Sequence, residues 1–190
     1  LHDALPILSF AGLDSSYVVA TAGGESIARG ETISHLHASE LAFWPVNAAK
    51  DNWNGLIQAV PETKGTAVFI ESTANGITGL FYDLWKGAVE GKNGYRPVFI
   101  PWFLDPSYLA PCPEPIEHTP EELDLINQFN LDDEQLMFRR NRIAQTSADL
   151  FKQEYPAVPD EAFLSTGAPV FNPEQLVKLL DKTKDPVARL

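Results

Sequence analysis

Cysteine is nearly absent: the 190 residues hold one, Cys112, between Pro111 and Pro113. A single thiol excludes an internal disulfide framework and suits a reducing compartment. Its seat between two prolines reads as a loop position rather than a nucleophile. No apolar run approaches the ~20 residues needed to span a bilayer, and no basic-then-apolar leader opens the chain. Internal repeats and low-complexity tracts are missing too. Cations are scarce, with 14 Lys and Arg against 26 Asp and Glu and a net charge of −12. That balance argues against broad electrostatic wrapping of nucleic acid, while leaving room for a local basic contact. Methionine occurs once, at Met137, and the chain opens on Leu1, so a piece of a longer reading frame is expected.

What is present is globular. Apolar content of 44% and charged content of 21% can supply a core for one domain, or one domain with a small appendage. Residues 1–15 show no clear period. Residues 16–22 are β-rich and almost continuously apolar, as a buried central strand would be. Residues 32–43 read as a second strand, stopped by Trp44-Pro45. A helix is expected over 47–60, with Trp53, Leu56, Ile57 and Val60 on one side, and a buried strand over 66–70. Leu80, Phe81, Leu84, Trp85, Ala88 and Val89 form the widest helical stripe in the chain. Residues 97–102 supply a further strand. Strands alternating with helices indicate an α/β layer architecture with a mostly parallel sheet.

Beyond residue 105 the composition changes. Pro106, Pro111, Pro113, Pro115 and Pro120 mark a surface connector. Thr119, Pro120 and Glu122 have the form of a capping box with proline in the first turn. Helices are expected at 131–143 and 147–155, and a last one from Asn172 carrying Leu176, Leu179 and Leu180.

The chemistry concentrates where strands end. Glu40 lies at the acidic end of the alternating run in 32–43, just before an aromatic turn, and alternation puts His35, His37 and Ser39 on one face with Glu40 on the other. A carboxylate at that edge is where a P-loop-type NTPase positions magnesium or the attacking water. It is equally what a solvent-facing glutamate at a strand end looks like. Arg29, in a glycine-flanked loop, is either a surface arginine or a charge that reaches phosphate, a role that contributes about 10³–10⁵-fold in rate. Glu71-Ser72-Thr73-Ala74-Asn75-Gly76 follows a buried strand, where open α/β sheets place their ligand crevice. Its small polar side chains could sense a phosphate or simply bond the local turn. His35 and His37, two apart on a strand, could share a metal ion with Glu40 as in a metal-dependent hydrolase, or be satisfied by ordinary hydrogen bonds. A non-catalytic assembly or binding module is the other alternative. Arg139, Arg140 and Arg142, beside Asp132-Asp133-Glu134, read as a solvated helix face, with a DNA or subunit contact as the alternative.

Four segments in order, ARGETISHLHASELAFWP, GTAVFIESTANGITGLFYDLW, YRPVFIPWFLDPSY and FKQEYPAVPDEAFLSTGAPVF, together resemble the large terminase subunit of tailed phages. The resemblance covers about residues 16–172. That family is the ATP-driven motor that packages DNA into capsids. It implies a P-loop NTPase core of the RecA-like kind with a helical lid, using ATP and Mg2+ as cofactors. The strand ending at Ser39-Glu40 is similar to Walker B, with Glu40 as the catalytic glutamate and Ser39 where many such enzymes have aspartate. Arg29 resembles an arginine acting across the subunit boundary of a homo-oligomeric ring. Ser72-Thr73-Ala74 resembles the motif coupling hydrolysis to movement. Implied partners are double-stranded DNA, the portal protein and the small terminase subunit, in the host cytoplasm and not at a membrane.

On this resemblance residues 16–110 are the C-terminal half of the ATPase core, 111–165 the lid, and 166–190 the start of a linker toward a nuclease. The departures are plain. No G-x-x-x-x-G-K followed by Ser or Thr occurs in the 190 residues, nor an aspartate cluster of nuclease type. The opening LHDALPI has no counterpart in the resemblance.

Overall fold

The computed structural model describes residues 7–22 and 32–164. Arg29 and the helix expected from Asn172 lie outside them. Among the described residues the chain is a mixed α/β structure of six helices and two two-stranded sheets, one of them parallel. It divides into two compact units, one holding residues up to 72 and residues 79–81, the other the rest.

The first unit begins with a hairpin. Strand β1 (Ile7–Phe10) pairs antiparallel with β2 (Ser15–Val18), Ile7 opposite Val18 and Phe10 opposite Ser15. Asp14 takes the left-handed conformation at φ 46°, which a short polar side chain tolerates in a turn. The expected buried central strand at 16–22 is therefore an exposed hairpin arm, every residue of β1 and β2 being solvent-accessible. A continuous β-rich run specifies extended backbone; which faces are covered depends on what the rest of the chain brings to it.

Strand β3 (His35–Ser39) runs parallel to β4 (Ala67–Glu71), with His35 opposite Ala67 and Ser39 opposite Glu71. Parallel neighbours require a crossover, and helix α1 (Ala49–Ala59) lies in it. Burial alternates along β3, with Leu36 and Ala38 inward and His35, His37 and Ser39 outward. Helix α1 buries Ala49, Trp53 and Leu56, spaced as one helical face. The strand is shorter than its apolar alternation suggested. Glu40 adopts φ 51°, ψ 43°, and a 3-10 turn over Leu41–Phe43 follows. Left-handed backbone cannot continue a ladder, and Leu41, only 2% exposed, is buried from the turn rather than from the strand.

Helix α2 (Leu80–Val89) ends in a Schellman arrangement. Lys92 N–H donates to Gly87 O at 2.7 Å and Gly91 N–H to Ala88 O at 3.1 Å, with Gly91 at φ 67°. The strand expected at 97–102 is absent: residues 95–101 pair with no ladder among the described residues, and Trp102–Leu104 form a 3-10 turn. Pro97 and Pro101 each lack the N–H that a ladder uses.

The described residues of the second unit also form α3 (Pro120–Phe129), α4 (Asp133–Gln145), α5 (Ala148–Glu154) and α6 (Pro159–Leu164). Capping boxes start α3, at Thr119 with Glu122, and α4, at Asp132 with Gln135. The Ser147 side chain caps α5. Its core gathers Trp102, Leu131, Leu136, Phe138, Phe151 and Ala157. Trp102 and Phe138 stack at 5.8 Å, and Tyr108 stacks on Phe138 at 5.1 Å.

The arginine row on α4 is solvated only at Arg142, which is exposed. Arg139 is buried and pairs with Glu121 at 2.6 Å, Arg140 pairs with the buried Glu122 at 2.7 Å, and Arg142 lies over the Phe138 ring at 5.3 Å. The acids that claim the first two sit on α3, eighteen residues back, where no helical spacing reveals them.

Candidate functional site

The parallel pair brings two motif segments together at its C-terminal edge. In register, Ser39 faces Glu71, so the next residues, Glu40 and Ser72, emerge side by side. The Ser72 hydroxyl donates to Glu40 Oε2 at 3.3 Å and accepts from the Ala42 N–H at 3.1 Å. Around them the turn is closed by Phe43 N–H donating to Glu40 O at 2.9 Å and by the Trp44 indole N–H donating to Ser39 O at 3.0 Å. Glu40 is exposed. It does not sit on the inward face of β3, as strict alternation would place it. It lies past the strand end, and its left-handed backbone rather than the pleat sets its direction.

The residues read as a coupling triplet divide. Ser72 closes the first unit, and Thr73 and Ala74 belong to the second. Thr73 is exposed and Ala74 buried. Ser39 is exposed, its carbonyl held by Trp44.

The two histidines share the outward face of β3, as alternation required, but they turn to different partners. His37 Nε2 lies 3.2 Å from Glu71 Oε1, and His35 Nδ1 lies 3.2 Å from Ser34 Oγ. Glu40 is engaged by Ser72 instead. Among the described residues no three His, Cys, Asp or Glu side chains converge as a metal site.

Trp44 and the Ala42 N–H are the parts of this site that sequence reasoning passed over. In the sequence Trp44-Pro45 reads as a strand stop and Ala42 as part of the strand over 32–43, whereas the structure puts Ala42 in a 3-10 turn. The proline following an aromatic was the one available signal of a built turn.

Chemically the edge offers an exposed carboxylate, a hydroxyl that restrains it, and the outward-facing Ser39 next to both. Such a carboxylate can orient a water and accept its proton. Carboxylate and hydroxyl oxygens of the kind Glu40, Ser39 and Ser72 carry suit a hard cation better than a soft one. No protein-family profile matches this chain. No helix among the described residues is long and apolar enough to cross a membrane.

Proposed function

We propose that this chain carries the Walker-B half of a P-loop ATPase of the phage DNA-packaging kind, a terminase large subunit. The observation that supports the reading best is the hydrogen bond between Ser72 and Glu40 at the C-terminal edge of two parallel strands, the edge at which open α/β sheets bind ligands. In this reading Glu40 orients a water toward the γ-phosphate of ATP and accepts its proton, while Ser39 would help hold a hydrated Mg2+. The magnesium ion, when bound, neutralises phosphate charge. Ser72 holds the Glu40 carboxylate, Ser72-Thr73-Ala74 couples hydrolysis to movement, and residues 111–165 form the lid. Arg29 serves a neighbouring subunit's site in a homo-oligomeric ring. The phosphate cradle comes from a strand–loop–helix segment outside these residues. Double-stranded DNA, the portal protein and the small terminase subunit are the partners, in the cytoplasm of an infected host.

The test begins with the coding DNA on both sides of this frame. An in-frame phosphate-binding loop upstream, and Mg2+-dependent ATP hydrolysis by the whole encoded protein that Glu40→Gln abolishes, is the expected result. A whole protein whose ATP turnover is indifferent to Glu40→Gln overturns the reading.

A further inference from the structure

Glu40 is the strained point of the site. It is one of three described non-glycine residues at positive φ, with Asp14 and Asn130. Aspartate and asparagine enter that region more readily than glutamate does, because their short side chains bond the nearby backbone. A longer side chain stays there only when its surroundings hold it. Three contacts do so. Leu41 anchors the following residue in the interior, the Phe43 N–H ties back to Glu40 O, and the Trp44 indole N–H reaches over the turn to Ser39 O at 3.0 Å. The second is backbone alone, and the first needs only an apolar side chain that can be buried. The third depends on one side chain, and it grips the carbonyl of the peptide unit that leads directly into Glu40.

We infer that Trp44 is a positioning residue: its N–H fixes the Ser39–Glu40 peptide and thereby aims the Glu40 carboxylate at Ser72. The inference rests on the ATPase reading above, since it assigns Trp44 an effect on the same reaction. Without the indole donor the peptide between Ser39 and Glu40 can rotate, and Glu40 relaxes from φ 51° toward ordinary backbone. Its carboxylate then leaves the place where it meets water, while nucleotide contacts made elsewhere persist. Displacements of about 1 Å at a reacting group cost up to roughly 100-fold in rate.

The experiment compares the full-length protein with its Trp44→Phe variant, which keeps an aromatic ring and removes the N–H. A second variant carries benzothienylalanine at position 44, which keeps the shape of tryptophan and replaces the N–H by sulfur. ATP turnover, the KM for ATP and the thermal midpoint are measured for each. The expected result is a kcat lowered about 10- to 100-fold in both, with KM and midpoint held. An unchanged kcat overturns the inference and leaves the ATPase reading standing. A kcat that falls only together with the midpoint in Phe, and recovers with benzothienylalanine, makes Trp44 a packing residue and also overturns it. Absence of Glu40-dependent ATP hydrolysis in the unmodified protein removes the reading itself, and the inference with it.

Discussion

Ser72 Oγ donates to Glu40 Oε2 across 32 residues of chain, because parallel pairing of β3 with β4 aligns the ends of two strands that are separated by a helix. The hydroxyl also accepts from the Ala42 N–H, so a single small side chain ties the carboxylate to the turn behind it.

Replacing Ser72 by Ala removes both bonds without adding volume. On the proposed ATPase reading, ATP turnover by the full-length protein is expected to fall about tenfold, with a small change in KM. Steady-state kinetics on Ser72→Ala and Ser72→Thr check this, the threonine variant restoring most of the rate through its own hydroxyl. An alanine variant with wild-type kcat would show that the bond plays no part in turnover.

In the second unit, Arg140 binds both carboxylate oxygens of Glu122, and the Thr119 N–H donates to one of them. Glu122 is 2% exposed, so removing its partner strands a buried charge. Arg140→Ala is expected to cost about 3 kcal/mol of stability. Urea unfolding at neutral pH measures it, and a loss below about 1 kcal/mol would place the pair in the weak class of surface bridges.

The same carboxylate makes stability acid-sensitive. Bonding to Arg140 holds the Glu122 carboxyl down at about 2, against an ordinary value of 4.5. A depressed folded value means that the unfolded chain takes up the proton first. The stabilisation is present above pH 4.5 and is lost as pH falls toward 2. Its size is about 2–3 kcal/mol after allowance for solvent at the Arg140 side. Burial moves Glu161 the opposite way, upward, so its contribution opposes that of Glu122. Urea midpoints between pH 7 and pH 3 are expected to fall more steeply in the unmodified chain than in Glu122→Gln.

Gly91 sits at φ 67° where α2 ends. Gly91→Ala places a Cβ in left-handed backbone and is expected to cost about 1 kcal/mol. Gly55, inside α1 with nothing within 4 Å of an added Cβ, is the control. Gly55→Ala is expected to stabilise by up to about 1 kcal/mol through helix propensity. Thermal midpoints of the two variants should move in opposite directions.

The sequence by itself determined what neighbours within a few residues can determine. The capping box at Thr119 and Glu122 was readable because both partners lie within one helical turn. Helices α1 and α2 followed from apolar spacing, and the outward face of His35 and His37 from the pleat of β3. Only the tertiary structure decided the rest. Residues 16–22 and 97–102 were apolar enough for buried strands, but burial and pairing belong to two partners. The structure turns the first into an exposed hairpin arm and pairs the second with nothing among the described residues. Arg139 and Arg140 looked solvated because their acids stand on another helix. The glutamate of the candidate site was visible from the start. Its left-handed backbone, its bond to Ser72 and its tie through Trp44 were not. Local pattern encodes conformational preference. The meeting of distant side chains is set by register and crossover, and these exist only once the chain has folded.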